Sequence, residues 1–127
     1  MARISLQPIA LGQVTATTGG AKLSTLLSLD ETDDSVCQYP ELILQADSGN
    51  GSDVFIGGVD AAGAIDISAT KCIKLGAETG IVLGAEDAYG DEDFIVYDLR
   101  KITLMSAIAD QKLNIAAVKV TRVSYNG

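Results

Sequence analysis

The chain has 127 residues, 47% of them hydrophobic and 20% charged, a length and balance that suit one domain whose core needs neither metal nor disulfide. Nine Lys and Arg stand against seventeen Asp and Glu, a formal charge of −8, which argues against a surface built to neutralise phosphates; no nucleic-acid partner is expected. The sequence contains no His, which removes Ser-His-Asp and Cys-His nucleophile pairs and His-ligated zinc.

The first 40 residues read differently from the rest. The stretch MARISLQPIALGQ reaches Gln7 and Pro8 before any apolar run of signal-peptide length. No run approaches the roughly 18 to 20 apolar residues that cross a bilayer, so a soluble protein with no membrane partner is expected. Thr15 to Gly20 is small and flexible in composition, Ala21 to Leu27 carries Leu23, Leu26 and Leu27 at helical spacing, and Asp30 to Asp34 is acidic. Residues 1–40 are therefore expected to form a less regular amino-terminal arm. Its candidate assembly contacts are Leu23, Leu26 and Leu27, which either pack on the chain's own core or reach a neighbouring subunit.

From Glu41 onward, short runs rich in Val, Ile and Leu are broken by Gly, Asp and Asn every 8 to 12 residues or so, the pattern of a sandwich or barrel. Eight strands are expected: Glu41 to Ala46, Asp53 to Gly57, Ala64 to Ser68, Lys71 to Leu75, Gly80 to Leu83, Phe94 to Asp98, Lys101 to Met105 and Lys112 to Val123. They make residues 41–127 an all-β domain. Glu41 to Gly57 reads as a hairpin whose loop uses Asn50-Gly51 at positive φ, with Leu42, Leu44, Val54 and Ile56 among its core-facing positions. Asn50-Gly51-Ser52 also fits the glycosylation sequon, but in this setting it reads as a turn.

Chemistry is hard to find. Neither Gly76 to Gly80 nor Gly80 to Gly84 is followed by the Lys-Ser/Thr of a phosphate loop, and Gly49-Asn50-Gly51 does not continue as GxGxxG. The acidic run Glu86 to Asp93 breaks the alternating ligand order of an EF-hand and reads as a solvated loop. Cys37 and Cys72 are too few for a disulfide framework and too far apart for a CxxC site, and read as small apolar side chains. With no Trp and 5% aromatic residues, a sugar-stacking platform has little support. No catalytic, cofactor-binding or metal-ligating residue is assigned, no cofactor is expected, and the chain is expected not to be an enzyme. Charge is uneven, since no Lys or Arg lies between Lys22 and Lys71 while the end of the chain is basic. These regions are expected to pair within the fold.

Several segments together resemble the small virion structural proteins of tailed bacteriophages, of the capsid decoration or cement type. They are Glu41-Leu42-Ile43-Leu44-Gln45-Ala46-Asp47, Asn50-Gly51, Val54-Phe55-Ile56-Gly57, then Leu75-Gly76-Ala77-Glu78 before Ile81-Val82-Leu83, and the late stretches Asp98 to Ile102 and Gln111 to Ile115. The resemblance spans about Glu41 to Val118; the family's turn proline is missing after Leu75. It implies a jelly-roll-like β-sandwich that forms a small symmetric homo-oligomer, a trimer or dimer. Such a protein clamps neighbouring major capsid protein subunits on the capsid exterior of the virion, after assembly in the host cytoplasm, where Cys37 and Cys72 would stay unbridged. Two other roles fit the same residues: a tail-associated or fibre-associated virion protein, and a stand-alone ligand-binding β-sandwich.

Overall fold

The computed structural model describes residues 2–84 and 96–124, and the side chains within 5–84 and 96–119. The chain is mostly β. In order come β1 Ala2–Thr15, β2 Ala21–Lys22, the one-turn helices α1 Leu23–Leu26 and α2 Asp34–Cys37, β3 Gln38–Tyr39, β4 Glu41–Ala46, β5 Val54–Val59, β6 Ile65–Asp66, β7 Ile73–Leu75, β8 Gly80–Gly84, β9 Tyr97–Asp98, β10 Thr103–Ser106 and β11 Lys112–Ser124. Each of the eight expected strand segments overlaps one of these from β4 onward. Residues 94 and 95 of the sixth lie outside the described residues.

The strands form antiparallel sheets in a sandwich-like arrangement. One sheet runs β1-β11-β4-β8; the other runs β2-β10-β5, with β7 and β6 both on the far edge of β5. A short β3-β9 pair stands beside them. Leu42, Leu44, Leu113 and Ile115 of the first sheet share one core with Val54, Ile56, Leu75 and Leu104 of the second. The alternation of β4 shows why: Leu42, Leu44 and Ala46 are buried while Ile43 and Gln45 are exposed, as the two-residue period of a pleated strand requires. Gly57 is dictated by packing, because a Cβ there would come within 2.7 Å of Ile67, which lies over β5.

Residues 1–40 depart from the arm expected of them. β1 pairs with β11 along its length, and Val14, Ala16, Leu23, Cys37 and Tyr39 are buried. Two features hide this strand from a pattern reading. Pro8 cannot donate to a ladder, but β1 is an edge strand, where a missing N–H is tolerated. At Gly12, with φ of 129°, the register with β11 shifts by one residue, so that Val14 faces the core although it breaks parity with Ile9.

The hairpin expected over Glu41 to Gly57 is also not formed. β4 pairs with β11 and β8, β5 with β10, β7 and β6, so the loop between them crosses from one sheet to the other. Neither Asn50 nor Gly51 adopts positive φ. Asn50 instead uses its side-chain amide as a strand partner: Nδ2 donates to the Lys112 carbonyl at 2.8 Å, and Lys112 N–H donates to Oδ1 at 2.7 Å. Leu42, Leu44, Val54 and Ile56 are all core residues, facing one another across the sandwich.

β11 outruns its second neighbour. β4 accompanies it only from Leu113 to Val118, because the chain turns away at Pro40, just before Glu41. Beyond that point Ala2 to Gln7 pair with Lys119 to Ser124 as a two-stranded ribbon, about 20 Å long at the rise of an antiparallel strand.

Two stability measurements follow from this packing. Ile56 is 4% exposed, and Ile56→Asp should cost several kcal/mol by burying an unpaired carboxylate, leaving the protein insoluble or strongly lowering its Tm. A chain beginning at Asp30 should fail to fold, since it lacks β1 and the core residues Val14, Ala16 and Leu23; far-UV circular dichroism would report a cooperative melt if it did fold.

Candidate interaction surfaces

Leu23, expected as a contact, is wholly buried, and Leu26 and Leu27 are half-buried against the same core. Leu23 therefore has no surface to offer a neighbour. The segment that carries it is stitched to the chain's later half through the backbone: Leu23 N–H donates to the Ile102 carbonyl at 2.9 Å, Ser24 N–H to Leu99 at 3.1 Å, and Leu99 N–H to Cys37 at 2.9 Å.

The acidic run Asp30 to Asp34 serves this junction. Asp33 caps α2 by accepting from Ser35 N–H and hydroxyl, and Asp30 accepts from Thr32 N–H and hydroxyl. Glu31 accepts from the hydroxyls of Ser24 at 2.9 Å and Thr25 at 3.0 Å; those two bonds hold its carboxyl below the usual carboxylate range. Arg100 closes the knot. Its Nε and Nη2 donate to the two carboxylate oxygens of Asp98 at 2.9 and 2.8 Å, Nη2 also reaches Asp34 at 2.7 Å, and Nη1 reaches the Glu31 carbonyl at 3.0 Å. Asp98 is 9% exposed and also receives Gln38 Nε2. The Arg100 side chain is the main reason its carboxyl falls to about 2. The uneven charge of the sequence is thus paired within the fold at this point.

A cleft of about 700 Å³ opens beside the knot, lined by Lys22, Gln38, Asp60, Asp98, Arg100 and Lys101 among others. Its two acids are committed. Asp98 is held by Arg100, and Asp60 accepts the N–H groups of Ala62 and Ala64 in its own turn. Asp98, held well below the usual carboxylate range by Arg100, is a poor base at neutral pH. Cys37 is buried, and burial raises its thiol above the ordinary range, the opposite of what a nucleophile needs. Cys72 is half-buried, and both cysteines are free thiols. The run Glu86 to Asp93 and Tyr89 lie outside the described residues. Among the described residues, no group of three or more Cys, Asp and Glu is placed to hold a metal ion, and no helix is long and apolar enough to cross a membrane.

The surface that composition did not point to is the outer face of the four-stranded sheet. One register row crosses all four strands as Ala10, Ala116, Ile43 and Val82. Val82 is 62% exposed and Ile43 38%. Pro8 and Leu6 continue the same side of β1 toward the ribbon, with Leu6 at 52%. Between β1 and β4 lies a shallow hollow of about 290 Å³ floored by Ala10, Gly12 and Ala116. The signal for this face lay in Leu42-Ile43-Leu44 and Ile81-Val82-Leu83, apolar on both parities of the strand where an antiparallel sheet facing water alternates.

No family model matches the sequence, and no curated protein matches it.

The Arg100 knot has a measurable pH signature. Asp98 titrates below its unfolded value, so its stabilisation is complete above about pH 4 and is lost as the pH falls toward 2, to a total of about 2 kcal/mol. Arg100→Ala should lower stability at neutral pH by removing the guanidinium that pairs with Asp98. It should also flatten the loss between pH 4 and 2, as followed by chemical denaturation across that range.

Proposed function

We propose that this chain is a non-enzymatic virion structural protein that decorates and cements a phage capsid by binding across major capsid protein subunits. The carrying observation is the ribbon of β1 and β11, which runs about 20 Å past the end of β4. A two-stranded ribbon is marginal in water by itself, and it gains order when it lies on a neighbouring surface. It is the natural arm of this chain, in place of the buried Leu23 segment.

The strand order supports the jelly-roll reading that accompanies this role. Counting β1, β2, β4, β5, β7, β8, β10 and β11 as the main strands, one sheet runs first, eighth, third, sixth and the other second, seventh, fourth, fifth. That order is the one expected of two interleaved Greek keys, an architecture used by viral shells as well as by lectins and cupins. Attachment would be passive, with modest contacts multiplied over many copies on one particle.

The test uses a chain trimmed to residues 8–118, which keeps the sandwich core and removes the ribbon. It should melt within a few degrees of the full chain yet lose its retention on purified particles in gradient sedimentation. Quantitative mass spectrometry of those particles should count the full protein in numbers comparable to the major capsid protein. Undiminished retention of the trimmed chain, or only a few copies per particle, would overturn the proposal.

A further inference from the structure

We infer that the outer face of the β1-β11-β4-β8 sheet is a dimer interface, occupied by the same face of a second copy about a two-fold axis running parallel to the strands. The inference draws on the assembly reading for a symmetric oligomer and is independent of attachment to a shell.

The face is self-complementary in shape. Along the row Ala10, Ala116, Ile43 and Val82, the β4-β8 half is raised by Ile43 and Val82 while the β1-β11 half carries two alanines, beside a hollow of about 290 Å³ that Gly12, Asn114, Gln45 and Ile43 also line. A two-fold axis between β11 and β4 sets each half over the other half of the partner. Ile43 of one copy then meets Ala116 of the other, and Val82 meets Ala10, because these four share one register row. An axis across the strands would stack ridge on ridge instead. Isologous contacts of this kind make each residue pair twice.

Charge agrees with the same axis. It is confined to the two ends of the face, with Glu41 at one and Lys112 beside Asp47 at the other. Among the described residues Asp47 accepts from neutral donors alone, namely Gln13 and Asn114 amides and Gly49 N–H, at 3.3, 3.4 and 3.1 Å. Lys112 is exposed and makes no ion pair among the described residues. The axis that seats ridge in hollow carries Lys112 of each copy over Asp47 of the other.

Area sets the strength. Four strands about 4.8 Å apart, over the five or six residues that β8 and β4 span, give roughly 400 Å² per copy, or roughly 800 Å² in total, the size of a weak, transient contact. The dimer should therefore be concentration-dependent.

Analytical ultracentrifugation of the full chain over a dilution series, up to about 100 μM, should show a monomer rising to twice its mass. Ile43→Lys should raise the dissociation constant at least about tenfold without moving Tm, since the side chain is exposed, and Lys112→Glu should weaken it in a salt-dependent way. A chain carrying Ala10→Cys and Val82→Cys, with Cys72→Ser, should cross-link between copies on mild oxidation. A wild-type chain that stays monomeric throughout, a trimer, or a dimer indifferent to Ile43→Lys and silent in cross-linking would each overturn the inference. If Ile43→Lys instead abolishes retention on particles while the free protein is always monomeric, the face belongs to the shell and the inference fails with the decoration role intact. A dimer with these properties but no association with particles leaves the inference standing and removes that role.

Discussion

Everything in this fold waits on the pairing of its first strand with its last. β1 and β11 share a register of thirteen residue pairs, and β11 in turn is the strand on which β4 and then β8 are laid. The two partners lie about a hundred residues apart in sequence, so closing them costs more loop entropy than closing a local hairpin. Folding should accordingly be slow, as it is for domains dominated by distant strand pairing. It also explains why the amino-terminal 40 residues cannot be an accessory: without β1 the sheet ends on β11 with Leu113 and Ile115 uncovered on one side.

Local physics made much of the chain legible. Where side chains alternate and Gly, Asn or Asp punctuate, the strands lie where the residues imply, and β4 occupies the whole of Glu41 to Ala46. β1 was opaque because its apolar residues fall on both faces and its parity inverts at Gly12. The Glu41 to Gly57 segment misled for another reason. Two β-prone runs around a polar loop look alike whether they pair or part to opposite sheets, and that choice is made by β10 and β11, far away in sequence. Leu23, Leu26 and Leu27 carried a true helical spacing, yet α1 is a single turn. Their burial is decided by backbone bonds to Leu99 and Ile102, which no nearby residue announces. Of the surfaces, the acidic run 30–34 was visible as charge, while its partner Arg100 could not be selected from sequence.

The distribution of polarity over the molecule is unusual for so acidic a chain. Carboxylates at 30, 31, 33, 34, 60 and 98 are spent on turns, caps and one arginine, so part of the negative charge serves local geometry. Among the described residues every buried side-chain nitrogen and oxygen has a partner, which leaves the core without a polar group awaiting a ligand. The broad sheet face, by contrast, is nearly without charge between its ends and exposes isoleucine and valine where an antiparallel sheet in water usually shows polar side chains.

The ribbon has a mechanical meaning. Its strands are antiparallel and Ala2 lies opposite Ser124 at the tip, so a pull that separates the two strands there opens the ladder one pair at a time, each bond carrying the whole load in turn. A pull on both strands together runs along the backbone into the body. There it acts on the β11-β4 ladder parallel to the strands, across hydrogen bonds that lie perpendicular to it and share the force. The same few residues are thus weak against peeling and strong against towing.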